Sequence, residues 1–246
     1  MKKSVILDVT NDYYLLGIIF FLAIFKLPET EDGGILTYNV HPYILLLQKI
    51  STYIVIFLMS FSLIKKIIVK KIRFKDKGLG LFLFYLFLMT VALFSEGSNT
   101  ILHLILITLT FSYFYFVISD LVFFREEGNC IINSILGGVG CFALFNLLLY
   151  LFNSDGVVWN GRLFGVTVHP NFLGCTVSIA FCISLIKLQL EKDKLYKALY
   201  ISVLLISFWV CLLSGSRTAV GSCIFLLFVL GFLKMKNIEL RFILIV

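Results

Sequence analysis

A short polar segment, residues 160–171, lies between two long apolar stretches and reads N-G-R-L-F-G-V-T-V-H-P-N. Its guanidinium group, on Arg162, is suited to bidentate binding of phosphate or carboxylate oxygens. Its imidazole, on His169, is a candidate proton acceptor, and Asn171 adds a side-chain amide. The glycines are expected to loosen the backbone. From spacing alone, Arg162 is equally well explained as a solvated loop residue, and His169 is better explained as a hydrogen-bonded structural residue.

A second polar segment, S-G-S-R-T at residues 214–218, also separates two apolar stretches. If a helix begins here, Ser214 or Ser216 can cap it, and Arg217 then lies in its first turn. A cation is unfavourable at a helix N-terminus, because that end already carries partial positive charge. A bound phosphate or carboxylate would offset both charges, so the sequence favours an anion site at Arg217 over an arginine that only extends into solvent.

The composition shows what kind of protein positions these segments. Sixty per cent of the 246 residues are hydrophobic and 14% are charged, whereas a soluble domain is about half apolar and about a quarter charged. The six cysteines lie in or beside apolar stretches and form no C-x-x-C pair, which excludes a zinc or redox motif of that kind. The chain is therefore expected to be a polytopic membrane protein.

The apolar stretches predict the spans. A bilayer core about 30 Å thick requires about 20 mostly apolar residues per helix. The stretches lack the alternation of barrel strands, so an all-α helical bundle is expected. It forms a single transmembrane domain over residues 1–246, with about eight helices and the start of a ninth. The eight predicted spans are 12–27, 43–64, 79–95, 100–119, 131–152, 170–187, 198–213 and 218–233.

Lysine and arginine set the orientation of the spans, because they are retained on the cytoplasmic side. With a cytoplasmic N-terminus, 17 of the 21 basic residues lie inside. The four basic residues left outside are Lys26, Lys49, Arg162 and Arg217. The basic run 65–77 is then a cytoplasmic loop beside anionic lipid head groups, and nucleic acid is not an expected partner. Both polar segments face outward.

Together, the two segments resemble a known family. G-R-L-F-G-V-T-V-H-P-N-F-L-G (161–174), followed about 40 residues later by L-L-S-G-S-R-T-A (212–219), is similar to the O-antigen polymerase and O-antigen ligase superfamily of bacterial surface-polysaccharide assembly. In that family an R-x-x-G…H-P-N element precedes one span, and an S-x-S-R element opens a later one. The resemblance is clearest over residues 155–233; the earlier spans match only in being short and rich in Phe, Leu and Ile.

The resemblance implies a polysaccharide repeat-unit polymerase, a multi-pass protein of the bacterial cytoplasmic (inner) membrane that acts at its outer face. Such an enzyme transfers undecaprenyl-diphosphate-linked oligosaccharide units onto a growing glycan, for capsule, O-antigen or exopolysaccharide. This glycosyltransferase uses no nucleotide sugar, and no acidic metal cage is evident, so neither metal nor cofactor is expected. The expected partners are the lipid-linked oligosaccharide, membrane lipids, and the flippase and chain-length regulator of the same pathway.

The same resemblance gives roles to individual residues. The implied catalytic residues are Arg217, His169 and Arg162, and the implied contacts to the diphosphate or glycan are Arg217, Arg162, Ser214, Ser216 and Asn171. Arg217, and secondarily Arg162, would stabilise the growing charge of the diphosphate. His169 would be a base for the acceptor hydroxyl, ahead of Glu96 and Asp155.

Two other functions are compatible with parts of this pattern. A ligase that transfers the finished glycan to another acceptor belongs to the same superfamily. A non-enzymatic flippase or transporter of lipid-linked glycans would instead place polar groups deep within several spans. Here the polar groups gather at the outer ends of the spans, which favours chemistry at the membrane surface. The sequence ends a few apolar residues after Arg241, so a C-terminally truncated superfamily member is expected.

Overall fold

The computed structural model describes residues 2–25, 42–68, 108–118, 128–152, 157–167 and 169–234. Within these ranges the chain is mostly helical, as the composition predicts, and it contains one short β-hairpin. The helices are α1 (Lys2–Ala23), α2 (Pro42–Ile68), α3 (Thr108–Ile118), α4 (Gly128–Phe152), α5 (Pro170–Leu190), α6 (Lys194–Ser214) and α7 (Arg217–Lys234). The predicted span 79–95 and the start of the ninth span lie outside the described residues.

Three of the described helices are long and apolar enough to cross a membrane: Asn129–Phe152 within α4, Pro170–Leu190 (α5) and Lys194–Ser214 (α6). Three further apolar helical stretches are shorter: Tyr13–Ala23, Thr108–Ile118 and Arg217–Phe232. Apolar helices of this kind are those of a membrane protein. The number of eight spans and the cytoplasmic N-terminus stay predictions.

The last four helices lie where the apolar stretches predicted spans. The predicted span 170–187 corresponds to Pro170–Leu190, and 198–213 corresponds to Lys194–Ser214. At the start of α6 the helix extends over residues 194–197 because lysine is a good helix former, and its long stem lets the ammonium reach polar surroundings; α5 extends over residues 188–190, which are also good helix formers. Apolar length therefore predicts the spanning part of a helix but not its full extent.

Contacts divide the chain into two compact units, the first of which comprises residues 1–23 and 49–134. In this unit the buried Lys66 donates a hydrogen bond from Nζ to the backbone oxygen of Phe116, at 3.3 Å. Phe116 lies in the π-helical segment Phe114–Ile118 at the end of α3. Because π-helical turns change the usual pairing of backbone groups, a carbonyl there can accept a side-chain donor. This contact joins α2 to α3.

The second unit comprises residues 24–48 and 135–246 and contains both polar segments. Helices α5 and α6 are joined by the short turn 191–193 and pack along one another, and α7 packs against α5. A buried apolar cluster, Leu136, Val139, Ala180 and Tyr200, connects α4, α5 and α6. A packed three-helix group therefore supports the segments that carry the candidate site.

Candidate functional site at a corner of the helices

The start of the first polar segment forms the turn and second strand of a β-hairpin, where a loose loop was expected. Strands β1 (Val158–Trp159) and β2 (Arg162–Leu163) pair in antiparallel fashion. The turn between them places Asn160 at a φ of 48° and Gly161 at 70°. Two consecutive left-handed residues are typical of a type I′ hairpin turn, for which Asn-Gly is the preferred sequence. The Asn-Gly pair, with β-forming residues such as Val158 and Trp159 beside it, is thus the signal that could have predicted this hairpin.

The chain that follows β2 folds back into the protein interior. Residues 163–167 are all buried. The backbone oxygen of Val157 accepts hydrogen bonds from the amides of Phe164 (3.0 Å) and Gly165 (3.1 Å). The Thr167 hydroxyl donates to the backbone oxygen of Phe164 at 2.6 Å. Burying backbone is tolerated only when its polar groups are paired, and these bonds supply part of that pairing.

A fully buried asparagine on α4 completes the pairing. The Asn146 amide donates from Nδ2 to the backbone oxygen of Phe142 at 2.8 Å and accepts from the Val166 amide through Oδ1 at 3.0 Å. Gly165 has a φ of +61°, and a Cβ there would collide with the Asn146 side chain. Gly165 is therefore required both by backbone conformation and by space. Sequence reasoning missed Asn146, although a lone amide inside an apolar span is a signal of a buried polar partner.

Arg162 connects the two polar segments directly. Its Nε donates a hydrogen bond to the backbone oxygen of Ser214 at 2.9 Å, and its Nη2 donates to Asn171 Oδ1 at 2.6 Å. Ser214 is the last residue of α6, where the helix dipole places partial negative charge that favours a cation. Two of the five guanidinium donors are used in this way, and the other three have no partner among the residues that the structure describes. We call residues 157–171 together with 214–219 the polar corner.

Two glycines allow the segments of the polar corner to approach this closely. Gly215 adopts a φ of 58° as the left-handed cap of α6, and a Cβ on it would lie 2.9 Å from Arg162 Nε. Gly174 on α5 faces the serines of the α6–α7 junction: a Cβ on it would lie 2.6 Å from Ser214 Oγ and from Ser216 Cβ. Both positions therefore exclude larger residues because another segment occupies the space.

The two predicted capping serines have different roles. Ser216 caps α7, because its hydroxyl accepts from the Ala219 amide at 3.4 Å. Ser214 belongs to α6, and its hydroxyl donates to the Cys211 backbone oxygen at 2.7 Å while accepting from the Ser216 amide at 3.3 Å. Both serines are buried. Their hydroxyls hold the backbone of the α6–α7 junction in place.

Arg217 is the first residue of α7 and its side chain is exposed. Within the described part of the chain it makes no hydrogen bond or ion pair. Gly215 lies two residues before Arg217, and the side chain packed beside Gly215 is that of Arg162. The polar corner includes no acidic residue among its described positions. The Arg162 guanidinium at the end of α6 and Arg217 at the start of α7 thus flank the same helix junction, and positive side chains beside a helix N-terminus suit a phosphate or carboxylate.

His169 caps α5. Its Nδ1 accepts a hydrogen bond from the Asn171 amide at 3.1 Å. Partial burial, and secondarily the charge of Arg162, lower the pKa of His169 below its usual value, so the neutral imidazole is favoured. In a neutral imidazole whose Nδ1 accepts, Nε2 carries the proton. The Nε2–H of His169 is therefore a hydrogen-bond donor, and acting as a base through Nδ1 would require His169 to give up its cap.

The other predicted acid–base candidates, Glu96 and Asp155, lie outside the described residues. Of the predicted site, the structure brings together Arg162, Asn171, His169, Ser214 and Ser216, with Arg217 beside them. Comparisons with protein-family models, with curated proteins and with solved structures each found no match to this chain. The polar corner itself is therefore the basis for inferring its function.

Proposed function

We propose that the chain is a glycosyltransferase that polymerises polysaccharide repeat units from an undecaprenyl-diphosphate donor. The observation that supports this most is the hydrogen bond from Arg162 to the Ser214 backbone oxygen, at 2.9 Å across 52 positions of sequence. It joins the two segments whose resemblance to the O-antigen polymerase and ligase superfamily suggested this function. A paired pattern whose halves are in contact is better explained by one shared site than by two unrelated loops.

In the proposed reaction, the acceptor hydroxyl oxygen attacks the anomeric carbon of the lipid-linked glycan. A new C–O bond forms to the acceptor, and the bond between the anomeric carbon and the diphosphate oxygen breaks. The electron pair of that bond leaves with undecaprenyl diphosphate, and the hydroxyl proton passes to a base or to the departing diphosphate. The barrier falls if positive groups stabilise the charge that grows on the leaving oxygens.

The polar corner supplies such groups. Arg217 is exposed and available, and Arg162 retains three guanidinium donors after its two internal hydrogen bonds. The first turn of α7 adds backbone amides and the positive end of a helix dipole. In this proposal Arg217 contacts the diphosphate, while Arg162 both contacts it and fixes the geometry of the corner. Asn171 acts through Arg162, because its amide oxygen is already bonded to that guanidinium.

The acceptor hydroxyl must also lose its proton during the transfer. The Nδ1 atom of His169 is occupied by the Asn171 amide, which favours a donor role for this imidazole over the base role that the resemblance implies. A base would then come from a carboxylate, for which Glu96 and Asp155 remain the candidates, or from a diphosphate oxygen as its charge grows.

The proposal includes the topology predicted from basic residues: about eight spans, a cytoplasmic N-terminus and the polar corner at the outer face of a bacterial cytoplasmic membrane. The donor glycan reaches that face only after a flippase has moved it across. Such a flippase, the lipid-linked oligosaccharide and a chain-length regulator are therefore the proposed partners, and no metal or other cofactor is invoked.

The test is the substitution Arg217→Ala in cells whose surface polymer depends on this chain. Loss of one group that stabilises transition-state charge is expected to lower transfer by about a hundredfold or more. Polymer length on a gel should fall to single units while the amount of protein in the membrane is unchanged. Lys192→Ala is the matched control, since Lys192 is an exposed cation in the turn between α5 and α6. Normal polymer length in Arg217→Ala would exclude the proposed diphosphate role.

A further inference from the structure

Trp159 is placed beside the candidate site, although sequence reasoning did not select it. It pairs with Arg162 across the hairpin, so the two side chains lie on the same face. Its side chain is partly exposed. The tight Asn160–Gly161 turn fixes the position of both residues. A broad apolar ring thus lies next to the guanidinium that joins the two polar segments.

The imidazole of His169 lies against this indole. The two ring centroids are 6.4 Å apart and the planes are inclined by 59°. Because Nδ1 of His169 caps α5, the imidazole proton is on Nε2. This Nε2–H has no hydrogen-bond partner among the described residues. A flat apolar face bordered by a fixed N–H donor matches the chemistry of a pyranose ring, which has an apolar C–H face and a rim of hydroxyl acceptors.

We propose that Trp159 and His169 form a subsite for the sugar ring attached directly to the diphosphate. This inference rests on the proposed function, because it places the diphosphate at Arg162 and Arg217. A sugar linked to that diphosphate lies one ring away, and the neighbour of Arg162 on its own hairpin face is Trp159. In this subsite the indole packs on the C–H face of the sugar, and His169 donates to a ring hydroxyl.

The competing explanation is that Trp159 anchors the hairpin in lipid head groups, as tryptophans at membrane interfaces do. Trp209 on α6 provides the comparison, because it is 56% exposed and belongs to an apolar helix. The chain has only these two tryptophans. Trp209→Phe therefore leaves Trp159 as the single indole fluorophore, and Trp159→Phe leaves Trp209.

The first experiment titrates both single-tryptophan proteins in lipid nanodiscs with two probes. One probe is undecaprenyl diphosphate without sugar, and the other is the undecaprenyl-diphosphate-linked oligosaccharide extracted from cells that encode this chain. We expect Trp159 emission to shift with the oligosaccharide-bearing lipid only, and Trp209 emission to respond equally to both lipids. Trp159→Phe should weaken binding of the sugar-bearing lipid by about two- to tenfold, with no change for undecaprenyl diphosphate.

The outcomes separate the two proposals. If undecaprenyl diphosphate binds and Arg217→Ala weakens it, but Trp159 responds equally to both probes, the sugar subsite is wrong and the proposed function stands. If neither probe binds the protein, both proposals fail. If Trp159 emission is quenched by brominated lipids as strongly as Trp209 emission, the lipid-anchor explanation replaces the subsite.

The second experiment separates a donor from a base at His169. His169→Asn keeps a capping oxygen and supplies an N–H donor, whereas His169→Asp keeps the cap but has no donor. For a donor role, His169→Asn should keep kcat within about tenfold of wild type, and His169→Asp should raise KM for the sugar-bearing lipid. Equal loss of kcat in both variants, with wild-type protein levels, would overturn the donor role and restore His169 as the base.

Discussion

The two ends of the α5–α6 pair reverse the chain in different ways. At the turn 191–193 the hydrogen bonds among described residues are local: Glu191 Oε1 accepts from the next two amides, and Asp193 Oδ1 accepts from the Leu195 amide at 2.7 Å. At the polar corner, local bonds are accompanied by bonds between distant segments, 52 positions apart for Arg162 and Ser214 and 20 apart for Asn146 and Val166.

The difference indicates which end is specialised. A helical hairpin needs only a cap and a short turn, and residues 191–193 provide both. The polar corner adds three glycines in left-handed conformations, a buried asparagine and a guanidinium bonded to a helix end. Such features are not needed to reverse the chain direction. They fix the position of Arg162 and of the backbone that leads to Arg217, which supports the proposed binding site at this end of the helices.

The largest expected effect on stability is that of Gly165→Ala. The left-handed backbone at this position is unfavourable for alanine by about 1–2 kcal/mol. The added Cβ would also collide with the Asn146 side chain. Displacing Asn146 would also leave the buried Val166 amide unpaired, at about 1–3 kcal/mol. Unfolding in mixed micelles with increasing SDS should show a loss of about 3 kcal/mol.

Gly161→Ala is the matched control for that variant. Gly161 has a similar φ of +70°, but among the described residues, apart from its chain neighbours, no atom lies within 4 Å of the position that a Cβ would take. Only the backbone term then applies, so the expected loss is about 1 kcal/mol. Equal losses in the two variants would mean that Asn146 does not hold the buried segment as described.

Arg162→Ala is expected to have the next largest effect. It removes two hydrogen bonds from a charged donor, for a net loss of about 2 kcal/mol. A double-mutant cycle with Asn171→Ala should give a coupling energy of about 1 kcal/mol, because the two side chains are in direct contact. Independent effects at Arg162 and Asn171 would contradict the contact.

Asp193→Ala, at the other end of the helices, is the control. Loss of its cap should lower the free energy of unfolding by about 1 kcal/mol and leave transfer activity unchanged.

The smallest expected effect concerns pH. Because burial and Arg162 lower the pKa of His169 below 6.5, the unfolded chain binds this proton more readily than the folded chain. The contribution of the neutral His169 imidazole to folding stability is complete above the pKa that His169 has in the unfolded chain. It is lost as the pH falls below that pKa. The melting temperature of wild type should thus fall more than that of His169→Asn between about pH 7.5 and about pH 5.5. An identical pH response of the two proteins would remove His169 as the titrating group.

Apolar stretches in the sequence predicted the helices well but not the support of the site. The spans 170–187 and 218–233 lie within α5 and α7, and Ser216 was one of two predicted caps. Length and hydropathy suffice for such elements, because each helix satisfies its own backbone. The common location of the two polar segments also followed from the predicted topology, and their contact through Arg162 is consistent with it.

The remaining features depend on contacts between segments distant in sequence. The sequence does not give the roles of Gly165 and Gly174, and it signals a polar partner for Asn146 without identifying it, because these roles come from what lies opposite each residue in space. The capped Nδ1 atom of His169, which changes the chemistry available to the imidazole, is likewise visible only in three dimensions. The hairpin is different: its Asn-Gly turn was readable from the sequence and was missed.

The most direct test of the proposed diphosphate site at the polar corner is the affinity of the purified chain for undecaprenyl diphosphate, measured by native mass spectrometry from nanodiscs. Undecaprenyl monophosphate serves as the reference lipid. We predict that wild type prefers the diphosphate and that Arg217→Ala weakens its binding by about tenfold or more, through loss of a charge-assisted bond. Lys192→Ala should bind as wild type does. Equal affinity of wild type and Arg217→Ala for the diphosphate would contradict a diphosphate site at the polar corner.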